Sequence, residues 1–251
     1  SGVVSPLVVI WSLAVEEHFY LIYPAVLIAL ARRPARLEQV LIAFIVASLA
    51  WRCVLVFGIG LDDMPKDRIF MGTDTRMDTI AFGCWLAAAM HRARRPGGAT
   101  LARRLRLLAR PSMVAGGLVL LLLTLVVRQP EWRETARYSV QGLALLPLLC
   151  ALSIGPHPLG GVRAVLESRP ALFFGAISYS LYLYHFLGLT LVRLIWPGTS
   201  PGLRLALAAA LGLSMAIVSY LIIETPLRRA GARWADEIHR RRRSALPHAA
   251  A

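Results

Sequence analysis

The sequence is a succession of long apolar runs separated by short polar segments rich in arginine. An apolar run of about 20 residues is long enough for an α-helix to cross the hydrocarbon core of a bilayer. We therefore predict an all-α fold, a polytopic bundle of about seven transmembrane helices. The predicted spans are residues 7–30, 38–60, 76–91, 112–128, 138–154, 171–196 and 203–225.

The distribution of charge predicts the orientation of the chain. The 251 residues are 57% hydrophobic with a net charge of +14, a composition outside that of ordinary soluble domains. Most basic residues fall in the loops after the first, third and fifth spans and in the C-terminal tail. Because cytoplasmic loops are enriched in Lys and Arg, we expect a multi-pass protein of the cell membrane with its N-terminus outside and its C-terminus in the cytoplasm. The expected partner of these charges is anionic lipid of the bilayer, not nucleic acid.

Acidic residues inside the first span are the main functional signal. Glu16 and Glu17 lie in the apolar run 7–30, where a charged side chain costs about 2.5–3.5 kcal/mol at mid-depth. Such residues usually face a protein interior or a wet cavity. The alternative is that both carboxylates lie at the mouth of the helix and complement its dipole. Arg52 in the second span also needs a partner, and pairing with Glu16 or Glu17 would supply one.

Two further groups of polar residues belong to predicted spans. Asp74, Arg76 and Asp78 alternate at the outer mouth of the third span. Alternating charges of this kind can form a compensated ion network, bind a polar acceptor or cap the helix. Tyr182 and His185 lie along one stripe of the sixth span. The histidine either carries a proton for catalysis or is a neutral group satisfied by a tyrosine of a neighbouring helix.

Four segments of the chain resemble the motifs of one family. The first, WSLAVEEHFYLIYP at 11–24, is similar to the signature W-S-L-(S/A)-V-E-E-Q-F-Y followed by Pro, with His18 in place of the usual Gln. The other three are TDTRMDTIAFGCWLA at 73–87, ISYSLYLYHF at 177–186 and IETPLRR at 223–229. On these residues the chain resembles the acyltransferase 3 family, integral-membrane enzymes that transfer acyl groups to sugars and other acceptors that carry hydroxyls.

The resemblance implies an acyl-CoA donor, no bound cofactor or metal, and as acceptor a hydroxyl of a sugar, a glycan or a glycosylated metabolite. Acyl transfer to a hydroxyl requires a base, and His18 is expected to be a hydrogen-bonding replacement for Gln rather than that base. Catalytic roles are expected for Glu16, Glu17 and His185. Substrate-binding roles are expected for Trp11, Ser12, Tyr20, Arg52, Asp74, Arg76, Asp78 and Tyr182.

The resemblance also implies a domain organisation. The family's membrane domain usually has more spans, so residues 1–227 are expected to be a partial domain that lacks about three N-terminal spans. Residues 228–251 are expected to be a basic cytoplasmic tail, and Glu224 is expected to pair with Arg228 or Arg229 at the inner boundary. The histidine usually taken as the family's base lies in the preceding part. Two other interpretations stay open: a truncated, inactive remnant, or a membrane transporter, since intramembrane charges also suit a polar pathway.

Overall fold

The computed structural model of the chain describes residues 10–65, 67–154 and 160–244. All regular structure in these residues is helical, which confirms the all-α prediction for this part of the chain. The helices are α1 (Ile10–Leu30), α2 (Pro34–Cys53), α3 (Arg68–Met71), α4 (Thr73–Arg76), α5 (Asp78–Ala93), α6 (Ala99–Leu108), α7 (Pro111–Val126), α8 (Pro130–Glu134), α9 (Ala136–Ser153), α10 (Gly160–Leu166), α11 (Arg169–Ile195), α12 (Pro201–Ser219) and α13 (Thr225–Ser244). Helix α2 continues as a π-helical segment over Val54–Ile59, and α12 does so over Tyr220–Glu224.

Five helices of the described part are long and apolar enough to cross a membrane, and a sixth span results if α6 and α7, bent by 58° at their junction, are counted together. The five are Trp11–Leu30, Pro34–Ile59, Ala136–Ser153, Arg169–Ile195 and Pro201–Ile238. The prediction of about seven spans is therefore too high by this criterion. The difference comes from α5 and α7, which have 16 residues each and rise only about 24 Å against a hydrocarbon core of about 30 Å. Residues 7–9 of the first predicted span lie outside the described residues, and the orientation stays a prediction.

Proline and glycine set several helix boundaries. Pro34, Pro111, Pro130 and Pro201 each stand in the first turn of a helix, where the missing N–H removes no intrahelical hydrogen bond. The π-helical segment after α2 ends at Gly60, whose φ of 99° is a conformation that glycine adopts without steric penalty. These signals explain why the helices begin and end where the apolar runs do.

Residues 10–165 form one compact unit. In it α2 packs on α5, α5 on α9 and α9 on α7, while α1 contacts α2 and α4. One apolar cluster joins α1, α2 and α5 and includes Phe19 and Ala81. A second joins α5, α6, α7 and α9 and includes Leu105 and Cys150. This packing brings polar side chains of α2, α4, α5 and α9 together.

Residues 166–244 belong to a second compact unit. Within it α11 and α12 pack along one another. Gly188 permits this close approach, because a Cβ atom there would lie 2.8 Å from the carbonyl oxygen of Ala208 and 2.9 Å from the amide nitrogen of Gly212. Small residues at such crossings are typical of helix pairs in membranes.

The junction of α12 and α13 is held by Glu224. Its carboxylate accepts a hydrogen bond from Ser180 Oγ at 3.0 Å and pairs with Arg228 at 2.6 Å, which confirms the predicted pairing of Glu224 with a following arginine. The predicted tail begins inside α13 and is helical as far as Ser244. Residues 245–251 lie outside the described residues, and the division of the chain at residue 227 stays a prediction.

Candidate active site

A fully buried arginine joins α2 to α4, α5 and α9. Arg52 and Asp78 have no exposed side-chain area. The Nη1 and Nη2 groups of Arg52 donate to the two carboxylate oxygens of Asp78 at 2.9 and 2.8 Å. Its other hydrogen bonds reach the carbonyl oxygens of Thr75 at 2.6 Å and Thr135 at 3.0 Å, and Oγ of Ser139 at 2.7 Å. All five N–H donors of the guanidinium are therefore used within the protein.

This geometry corrects the predicted partner of Arg52, which is Asp78 and not Glu16 or Glu17. A bidentate pair with every donor satisfied is the arrangement that offsets most of the cost of burying two charges. No donor of Arg52 is left for a ligand. The substrate-binding roles of Arg52 and Asp78 stay predictions, and in this geometry they would act by positioning neighbouring groups.

Asp74 belongs to a separate pair that is partly exposed. Arg68 donates to its carboxylate at 2.9 and 2.6 Å, and Nε1 of Trp51 donates to it at 2.6 Å. Hydrogen bonding to the Arg68 guanidinium, with a contribution from Trp51, holds the pKa of Asp74 below its ordinary value. The alternating charges Asp74, Arg76 and Asp78 thus do not form one network, because the two carboxylates pair with arginines outside the motif.

Arg76 is held by aromatic rings. Its Cζ lies 4.0 Å from the ring centroid of Tyr138, 5.6 Å from that of Phe70 and 6.0 Å from that of Trp11. We call these four residues the arginine–aromatic cluster. The Nη1 atom of Arg76 is buried and has no hydrogen-bond partner among the described residues. Ring faces attract a cation but do not replace an oxygen acceptor, so the hydrogen-bonding capacity of this nitrogen is unused among the described residues.

The carboxylates of the first motif lie on a different face of α1 from its packing residues. Val15 and Phe19 are buried, whereas Glu17 and Tyr20 are exposed and Glu16 is half-buried. No hydrogen bond or ion pair joins Glu16 or Glu17 to another described residue. The charges predicted to lie in an apolar span are thus available to a polar group that approaches this face.

The first half of α1 lies beside α3 and α4. The ring of Trp11 contacts that of Phe70 with 4.7 Å between centroids, and Ser12 is half-buried in the same turn. Nδ1 of His18 is 3.2 Å from Oγ1 of Thr73. This contact matches the expectation that His18 is a hydrogen-bonding residue, and it links the first motif to the second.

His185 lies on α11, in the second unit. Its Nδ1 is 2.5 Å from the carbonyl oxygen of Tyr182, and because a carbonyl only accepts, Nδ1 carries the proton. In the neutral ring Nε2 then keeps a lone pair that can take a proton. The partner of Nδ1 is therefore the backbone of its own helix and not a tyrosine side chain of a neighbouring one. The side chains of Tyr182 and His185 are both exposed, with their ring centroids 5.6 Å apart.

Several residues of this region are not identified by the sequence. They are Trp51, Arg68, Phe70, Tyr138 and Ser139, none of which lies in the four motifs. Tyr138 and Ser139 stand at the start of an otherwise apolar run, and this position is the only sequence feature that singles any of the five out. A belt of interfacial aromatic residues explains it equally well. In the described residues no group of three or more His, Cys, Asp or Glu side chains is placed to hold a metal ion.

Comparison with known proteins identifies one matching family and similar proteins whose names agree with it. The sequence profile of a family described as an acyltransferase domain matches residues 2–224. The chain is 31% identical over 237 residues to the O-acetyltransferase OatA of Staphylococcus aureus, a match that covers 91% of this chain and 37% of that protein. It is 30% identical over 234 residues to the peptidoglycan O-acetyltransferase OatA of Listeria monocytogenes, which covers 92% of this chain and 36% of that protein.

The family match confirms the resemblance that the four motifs indicate. The chain spans about 37% of the length of the curated relatives it matches. No solved structure matches it.

Proposed function

Since this chain belongs to the acyltransferase 3 family, we propose that it forms membrane helices of an O-acyltransferase in the cell membrane. The proposed reaction moves an acetyl or similar acyl group from acyl-CoA to a hydroxyl of a sugar, glycan or glycosylated metabolite. The names of the relatives, O-acetyltransferase and peptidoglycan O-acetyltransferase, support the acetyl group and a glycan acceptor. The five or six candidate spans support a multi-pass protein. The chain spans about 37% of the length of those relatives, so their whole activity comes to this chain only as a proposal.

Transfer to a hydroxyl requires a base for the hydroxyl proton and hydrogen-bond donors for the oxyanion that develops on the acyl carbonyl. The arginine–aromatic cluster supplies a candidate donor, and this is the observation on which the proposal depends most. Arg76 carries a buried Nη1 without a partner in the described part of the chain. Because this nitrogen is buried, a hydrogen bond from it to an oxyanion would be stronger than in solvent.

Three side chains are candidates for handling the hydroxyl proton. Glu16 and Glu17 have no partner among the described residues, so either can accept a hydrogen bond from an acceptor hydroxyl. In the neutral ring of His185, in the second unit, the contact of Nδ1 with the carbonyl oxygen of Tyr182 leaves the lone pair on Nε2, where a general base requires it. We propose that Glu16 and Glu17 bind the acceptor and that one of them removes its proton. For His185, which lies in the other unit, a catalytic role is a separate proposal.

The test is transfer of label from radiolabelled acetyl-CoA to a glycan acceptor by membranes that contain the whole protein. Removal of one oxyanion donor typically lowers kcat by about 10²–10³-fold, so we expect a loss of this order in Arg76→Gln. Arg133→Gln is the matched control, because Arg133 is an exposed arginine of α8. Glu16→Gln and Glu17→Gln should also lower the rate, with Glu131→Gln, likewise exposed in α8, as their control.

Two results would contradict different parts of the proposal. Wild-type rates in Arg76→Gln would remove Arg76 from the site while leaving the reaction in place. If the wild-type protein transfers no label, with acyl-CoA donors and hydroxyl acceptors varied, the proposed reaction itself is wrong.

A further inference from the structure

A second site lies in the first unit, in a pocket formed by α5, α6 and α9. The cavity has a volume of about 240 Å³, well above the roughly 10–15 Å³ that admits one water molecule. Leu105, Ile154 and Met90 contribute apolar surface, while Arg94 and Arg106 contribute positive charge. A pocket with an apolar wall and two guanidinium groups is suited to an anion that is attached to an apolar or aromatic group.

The two arginines of the pocket differ from their neighbour Arg92. Arg92 donates to the buried carboxylate of Glu38 at 2.6 and 2.8 Å, so its charge is compensated and it fastens α5 to α2. Neither Arg94 nor Arg106 forms an ion pair or a side-chain hydrogen bond with another described residue. Both side chains are exposed, so their donors are open to a bound anion at the mouth of the cavity.

Helix α6 explains how the pocket obtains this character. Leu105 is buried in the core, and Arg106, the next residue, lines the cavity. Arg103 lies on the same helix and is exposed, as Arg94 and Arg106 are, but it does not line the pocket. Amphipathic helices with basic residues of this kind lie at the boundary between hydrocarbon and water, where the phosphates of lipids and of soluble cofactors are both within reach.

We propose that this pocket binds a phosphate group through Arg94 and Arg106. Two ligands carry such a group at the predicted cytoplasmic face: the acyl-CoA donor and an anionic phospholipid. The first source rests on the proposed function; the phosphate site itself does not. Guanidinium groups bind phosphate oxygens in bidentate pairs, and the apolar wall would contact the nucleotide or the glycerol part of the ligand.

The test uses the whole protein purified into lipid nanodiscs, with binding of fluorescently labelled CoA as the first measurement. In phosphatidylcholine discs we expect Arg94→Gln and Arg106→Gln each to weaken CoA binding by about tenfold, the effect of losing one charge-assisted hydrogen bond. Arg103→Gln removes the same charge from the same helix and should leave the affinity within about twofold. A second series of discs contains phosphatidylglycerol, and the lipid retained by the protein after detergent exchange is measured by mass spectrometry.

The two series distinguish the source of the phosphate. Weaker CoA binding in Arg94→Gln and Arg106→Gln, but not in Arg103→Gln, assigns the pocket to the donor. If CoA binding is unchanged and these two variants alone lose retained phosphatidylglycerol, the pocket binds a lipid headgroup. The proposal is overturned if neither ligand responds, or if Arg103→Gln has the same effect as the pocket variants, because net charge would then explain the result. Acetyl transfer measured on the same samples tests the proposed function by itself, so failure of the phosphate site and failure of the proposed function are distinguished.

Discussion

Replacement of Asp78 by asparagine is the most direct test of how this fold is held together. Asp78→Asn keeps the shape of the side chain but removes the only carboxylate that Arg52 contacts in the described residues. The hydrogen bonds of Arg52 to Thr75, Thr135 and Ser139 can persist. The variant therefore removes the counter-charge within a fully buried site, together with one of the two hydrogen bonds from Arg52, because the amide nitrogen of asparagine cannot accept.

The expected loss of stability follows from the burial of the Arg52–Asp78 pair. Both side chains have 0% exposure, and breaking a buried ion pair by removing one partner typically costs about 3–5 kcal/mol, since the other charge stays uncompensated. The pair Arg68–Asp74 provides the internal comparison, because its side chains are 33% and 44% exposed. At that exposure the pair contributes about 1 kcal/mol or less, so Asp74→Asn should have a small effect.

The assay is reversible unfolding in mixed micelles with increasing sodium dodecyl sulfate, followed by loss of helical circular dichroism. We expect the free energy of unfolding to fall by about 3–5 kcal/mol in Asp78→Asn and by about 1 kcal/mol or less in Asp74→Asn. The double variant Arg52→Met/Asp78→Leu should be more stable than Asp78→Asn, because it removes both buried charges. If Asp78→Asn is no less stable than Asp74→Asn, burial does not make the Arg52–Asp78 pair the more stabilising of the two.

Two further predictions concern other parts of the chain. Pairing with Arg68 lowers the pKa of Asp74, so the pair stabilises the fold fully above the ordinary carboxyl pKa and loses this contribution as pH falls through the lowered value. The indole of Trp51 donates to Asp74, so the fluorescence of Trp51 should change over that acid range and not above it. Gly188→Ala should separate α11 from α12 and destabilise the second unit by about 1–3 kcal/mol in the same unfolding assay, whereas Gly175→Ala in the same helix, where a Cβ meets nothing within 4 Å, should be nearly neutral.

The local features of this chain are predictable from its sequence. Apolar length locates each of the helices α1, α2, α5, α7, α9, α11 and α12, because the requirement to satisfy backbone groups in lipid leaves helices as the structure of such runs. The pairing of Glu224 with Arg228 is likewise predictable, since residues four apart on a helix face each other. The family motifs identify the chain for a similar reason, as each is a continuous segment.

The partner of Arg52 is not predictable from the sequence. The sequence contains several carboxylates at a suitable depth, and neither periodicity nor spacing distinguishes Glu16 from Asp78 as a partner. The choice is made by the packing of α2 against α5 and α9, which brings Asp78 within 2.8 Å of Arg52. Two of the remaining acceptors are backbone carbonyls, of Thr75 and Thr135, whose direction depends on helix ends that apolar patterns locate only approximately.

The hydrogen bonding of Arg52 and Arg76 predicts a structural role for Asp78 and a functional role for Arg76 itself. Arg52 has every donor satisfied by the protein, so its partner Asp78 should affect activity only through folding and the position of neighbouring groups. Arg76 has a buried donor without a partner among the described residues, so Arg76→Gln should lower activity far more than stability. Comparing the loss of activity with the loss of stability in each variant therefore decides whether the residue is functional or structural. A variant of Asp78 that unfolds little but loses activity completely would place that carboxylate in the chemistry, and would show that the ion pair in this structure is one state of a group that also meets substrate.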